Sequence, residues 1–151
     1  MKSESYAFTH DESCCYFEFL SQGEFKEDRK VVLYSSMDSN KYNLCLGHVL
    51  PNGDLCDLTV SNNGDMNKII ATVIETISIF LGKDQSRSIY FTGSTPSRTR
   101  LYRAIISREF HEAKKYYEIY GVPQTGQEPF SADTNYIGFS ITPKRTLNEN
   151  N

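Results

Sequence analysis

The hydrophobic period of this sequence changes at Asp65, and that change constrains the fold more than any motif does. From Asp65 to Leu81 the apolar residues are Met66, Ile69, Ile70, Val73, Ile74, Ile77, Phe80 and Leu81. Steps of three and four place them on one face of an α-helix. Asn63 or Asp65 supplies a start signal and Gly82 a stop signal. The spacing predicts an amphipathic helix over 65–81, whose apolar face must be laid against another element.

Upstream of that switch the chain reads as strands. "CCYFEFL" (Cys14 to Leu20) alternates around aromatics and "KVVLYSS" (Lys30 to Ser36) is β-branched and apolar. "YNLCLGHVL" (Tyr42 to Leu50) and "LCDLTV" (Leu55 to Val60) follow, joined by "PNGD", whose Asn52-Gly53 pair signals a hairpin. Downstream lies a short strand, "RSIYFTG" (Arg87 to Gly93). A second helix then starts with Thr95 as N-cap and Pro96 as N1, and carries Leu101, Tyr102, Ala104, Ile105, Ile106 and Phe110. "KKYYEIYG" (Lys114 to Gly121) and "NYIGFSIT" (Asn135 to Thr142) read as the last two strands.

The predicted order is ββββαβαββ. The helix between the fourth and fifth strands reads as a crossover between parallel neighbours, whereas the early hairpins are antiparallel. These signals predict an α+β fold, a mixed, mainly antiparallel twisted sheet of about seven strands with two helices. A length of 151 residues suits one core. We expect a single domain over 1–142, with 143–151 as a flexible tail because "PKRTLNENN" has little to bury.

A net charge of −3 argues against a surface that attracts nucleic acid or anionic lipid everywhere, so any such attraction must be local. The N-terminus lacks an apolar leader, and "IIATVIETISIFL" is interrupted by Glu75 and too short for a bilayer. The expectation is a cytoplasmic protein with no membrane contact. Cys14 and Cys15 are adjacent, Cys45 and Cys56 stand alone, and His10, His48 and His111 are scattered. No spacing here fits a metal site or a catalytic triad.

Two strand-to-helix junctions stand out, "LTVSNNGDMNKII" and "YFTGSTPSRTRLY". Each sets glycine and small polar residues where a helix start leaves backbone N–H groups unpaired, an arrangement suited to an anion. With a crossover, both junctions fall at one end of the sheet. Asn62, Asn63, Gly64, Gly93, Ser94 and Thr95 are the backbone candidates, though each stretch also reads as a plain N-cap and turn. At 100° per residue, Leu101, Tyr102 and Ile105 lie within ~60° of Arg98, whereas Arg100 is ~160° and Arg103 ~140° away. Arg98 is therefore expected on the buried side, pairing with Asp57, Asp65 or Glu75, or holding a ligand phosphate or carboxylate. Arg100 and Arg103 read as a solvated face, or as a contact for RNA or a partner. Tyr102 is either a core aromatic or a general acid.

The phrases "DLTVSNNGDMNKIIATV" and "IYFTGSTPSRTRLYR" resemble those of a family of small bacterial proteins of uncharacterised function, over most of the chain. The element order also resembles the GNAT-type N-acetyltransferases. That likeness places "SNNGDMNK" at the acyl-CoA pyrophosphate turn, with Gly64 at its central glycine and Ser61 and Met66 at the outer positions. It puts Leu101-Tyr102 at the end of the N-x-x-A-x-x-L-Y helix, whose Tyr often serves as a general acid. It implies acetyl-CoA as a cofactor and acyl transfer as an activity. The functional expectation is a domain that binds a phosphate-bearing small molecule (CoA or a nucleotide) or RNA at two helix N-termini. The alternative is an interaction protein with a protein partner, such as a toxin–antitoxin or phage-response component.

Overall fold

A computed structural model of the chain describes residues 4–24, 26–49, 51–52, 55–57, 64–93 and 95–144. Several expectations lie outside these residues: Ser61, Asn62, Asn63 and Ser94 of the two junctions, Leu50, Gly53 and Leu58 to Val60 of the early hairpin, and the tail over 145–151. The fold is α+β, with two helices and a mixed, mainly antiparallel sheet. The chain divides into two compact units, 1–36 with 43–84 and 37–42 with 85–151.

In the first unit, β1 (Phe8–His10), β2 (Tyr16–Gln22) and β3 (Glu27–Ser36) form an antiparallel ladder. β4 (Lys41–Val49), most of which lies in this unit, pairs antiparallel with the short β5 (Leu55–Asp57). Register sets Phe17 opposite Val32, Phe19 opposite Lys30 and Ser21 opposite Asp28, so these six share a face. All but Asp28 are buried there.

Helix α1 (Met66–Lys83) crosses that face. Tyr34 stacks on Phe80 with ring centroids 4.0 Å apart and hydrogen-bonds Thr76 Oγ1 at 3.0 Å. The buried stripe of α1 is Ile69, Ile70, Thr72, Thr76, Phe80 and Leu81. Ile74, expected inside, is exposed. Threonine is accepted in the core because both hydroxyls are satisfied. Thr72 Oγ1 donates to the Lys68 carbonyl and accepts from the Tyr6 N–H, and Thr76 Oγ1 donates to the Val73 carbonyl.

The second unit is built on β6 (Ser88–Phe91), β7 (Tyr117–Val122), β8 (Glu128–Pro129) and β9 (Gly138–Pro143), in the spatial order β6-β9-β7-β8 and antiparallel throughout. Ile89 and Ile119 flank Ile141, and Phe91 and Gly121 flank Phe139. Helix α2 (Pro96–Ala113) packs on this face through the buried Ile106, with Tyr102 edge-on to Phe91 and Phe110 against Phe130.

The described residues thus hold nine strands rather than about seven. β1 and β8 are three and two residues long, too short for alternation to register. β9 begins at Gly138 instead of Asn135, because Thr134 to Ile137 form a loop, and it runs on to Pro143. Lys144 still bonds its N–H to the Tyr116 carbonyl at 2.9 Å, so the first two residues of the expected tail belong to the ordered structure. No helix among the described residues is long and apolar enough to cross a membrane.

Candidate functional site

The β6–α2 junction is built by a close approach of backbones. A Cβ on Gly93 would overlap the Thr99 backbone nitrogen and stand 2.7 Å from the Arg98 carbonyl carbon, so only glycine lets β6 pass this near to the first turn of α2. Thr95 is the N-cap as its sequence position suggests, its Oγ1 accepting the Arg98 N–H at 3.2 Å, and Pro96 opens the helix. The Thr99 N–H and hydroxyl both donate to the Thr95 carbonyl.

Against this helix start lies a loop preceding β9. Thr92 Oγ1 donates to the Ile137 carbonyl at 2.6 Å, and the Ile137 N–H donates to the Val122 carbonyl at 2.8 Å. Between the loop and α2 opens a cleft of about 490 Å³. Arg100 and Arg103 are on its α2 side, Asn135 and Ile137 on its loop side, and Tyr136 and Phe139, both buried, beneath. Among the described residues no Asp or Glu lines it. The first turn of α2 also holds no acidic residue, so the positive end of the helix dipole is left uncancelled there.

Arg103 departs from the solvated role expected of it. Arg103 is half-buried, and its Nη1 donates to the Thr134 carbonyl at 3.0 Å and to Asn135 Oδ1. It is tied to the loop rather than solvated, because the helical projection could not foresee a loop standing over that face. Arg100 is exposed, with Nη2 donating to Ser97 Oγ at 3.2 Å, and lines the cleft beside it. Arg98 is half-buried and its side chain does not line the cleft, and neither does Tyr102. Thr92, Asn135, Tyr136 and Ile137 escaped the sequence reading. The signal for them was "DTNY", polar residues that break the alternation assumed for a strand.

The start of α1 has the opposite electrostatics. Gly64 adopts φ +80°, and a Cβ there would stand 3.1 Å from the Glu24 side chain. The Asp65 carboxylate does not cap the helix backbone; its Oδ2 accepts the hydroxyls of Tyr6 (2.6 Å) and Ser21. Burial, reinforced by the bond to Asp65, raises the Tyr6 hydroxyl pKa above its ordinary value. Two carboxylates at this turn disfavour an anion near Gly64. Asp65 and Glu75, weighed as partners of Arg98, accept from Tyr6 and Ser21 and from Ser5. Among the described residues no group of His, Cys, Asp and Glu could hold a metal ion.

A family model described as a family of unknown function, DUF6934, matches residues 2–144. The chain belongs to that family. Comparison with the curated proteins and with the solved structures gives no match. Membership in DUF6934 therefore brings no activity with it, and nothing in the comparisons extends the likeness to acetyltransferases. In this DUF6934 chain any function must be argued from the cleft.

Proposed function

We propose that the cleft at the start of α2 binds a phosphate-bearing ligand. The observation that carries this reading is the pairing of two guanidinium groups, Arg100 and Arg103, in a cleft that no carboxylate lines among the described residues. Guanidinium forks match phosphate oxygens bidentately, and Arg103 is already oriented by Thr134 and Asn135. The Gly93 and Thr95 backbones shape the helix start behind them. The reading is one of binding; it includes no transfer step and no acid role for Tyr102. A volume of about 490 Å³ lies within the range of small-molecule sites, roughly 300–1,000 Å³.

Isothermal titration with sodium pyrophosphate tests it. Saturable binding by the unaltered chain, weakened at least about tenfold in Arg100→Gln/Arg103→Gln, is the expected result. Equal heats from both proteins would remove the basis of the reading.

A further inference from the structure

We propose that the ligand is a nucleoside phosphate, with its phosphate on Arg100 and Arg103 and its base against Ile137 and Pro96; this rests on the anion reading above. Ile137 is 50% exposed although it lies between the buried Tyr136 and Gly138. A single exposed isoleucine is ordinary on a protein surface. This one is held in place at both backbone groups, its N–H on Val122 and its carbonyl on Thr92. It lines the same cleft as the exposed Pro96 and the two guanidinium groups. The cleft thus has an ordered apolar part and a cationic part within one volume.

The polar groups define what the second half of the ligand must offer. Asn135 Oδ1 is taken by Arg103, which leaves its amide N–H₂ as the group it can present. The hydroxyls of Thr92 and Thr99 are donating to the Ile137 and Thr95 carbonyls. Arg100, Arg103 and Asn135 present donors, while the two threonine hydroxyls, their protons engaged, can only accept, so a ligand rich in acceptors that also carries hydroxyl or amine donors fits them. A simple phosphate would leave the Ile137 and Pro96 surfaces in water, and an apolar molecule would leave the guanidinium groups unmatched. A nucleoside phosphate meets both, since every base has an apolar face and acceptor atoms on its edge. The same chemistry occurs in a free nucleotide and at the 5′-phosphate end of an RNA strand.

The test compares inorganic phosphate, AMP and UMP, and a 5′-phosphorylated tetra-adenylate on the full chain. AMP and UMP should bind at least about tenfold tighter than phosphate, the gain from burying a base face against Ile137 and Pro96. Ile137→Ser, at an exposed position, should bring AMP down to the level of phosphate and leave phosphate binding unchanged, while Arg103→Gln weakens both. A tetranucleotide that binds no tighter than AMP assigns the cleft to free nucleotides. One that binds tighter and loses that advantage in Ile137→Ser assigns it to strand ends. AMP and UMP no tighter than phosphate, or unaffected by Ile137→Ser, would overturn the base contact while the anion reading stands. If neither phosphate nor nucleotide binds, both fall.

Discussion

Lys30 on β3 is 1% exposed and donates a hydrogen bond to Asp28 at 3.0 Å, with Lys26 3.8 Å from the same carboxylate. Burial alone would raise the Asp28 carboxyl, but the bond and charge of Lys30 outweigh it and hold the group below its ordinary range. A lowered folded pKa gives stability that is present above the unfolded value, about 3.9, and lost as pH falls through the folded one. Asp28→Asn should therefore lower the urea midpoint at neutral pH yet flatten its decline below about pH 4. Lys30→Met alone should cost about 1–3 kcal/mol, because the half-buried carboxylate keeps only the longer Lys26 pairing, and adding Asp28→Val should recover part of that in equilibrium denaturation. The pairing of a buried lysine with a half-buried aspartate was not legible. "EDRK" looks like a solvated turn until the register of β2 and β3 turns Asp28 and Lys30 inward. Thr95, by contrast, was fully legible, because an N-cap followed by Pro at N1 is a local signal. Thr95→Ala should lower stability by about 1 kcal/mol in the same measurement.

At the scale of elements, local signals located α1 within two residues of both its observed ends and α2 at its first residue, since helix periodicity repeats every turn and capping is local. What periodicity could not show was rotation. It placed Ile74 inside, whereas Thr72 and Thr76 occupy the face of α1 because the Tyr6 N–H and the Tyr34 hydroxyl meet them there. Thr72→Val keeps the shape but strands the Tyr6 N–H, and should cost about 1–3 kcal/mol in urea denaturation, more than an isosteric swap at an exposed helix position. The cleft was half legible for a related reason. Its α2 half lies in one continuous stretch with recognisable capping chemistry, while its loop half is a tertiary neighbour distant in sequence that no local pattern announces.

Over the whole molecule, the net charge of −3 coexists with a cleft whose described lining holds two cations and no anions. Attraction of a phosphate ligand is then short-ranged and opposed by the rest of the surface. Raising salt from about 0.1 M to about 1 M shortens the screening length from roughly 10 to 3 Å. Nucleotide affinity should fall several-fold over that range in a titration, whereas a ligand held only by Ile137 and Pro96 would bind as well or better. The α+β class and the order of the longer elements were readable from the changes of period, because those depend on local chemistry alone. β1, β8 and the loop before β9 were not, because pairing partners decide them.

Behind the cleft, the ring of Tyr136 occupies the space where Gly121 of β7 would carry a side chain, and a Cβ there would overlap the ring. Its hydroxyl is fixed as well, donating to Glu128 at 2.9 Å and accepting the Ser131 N–H at 3.0 Å. Position 121 lines no part of the cleft, yet a single methyl group added there must displace the floor on which a ligand would rest. If the cleft binds as proposed, Gly121→Ala should weaken AMP in the same titration while changing no charge there, because it acts only by shifting Tyr136 from the far side of the wall.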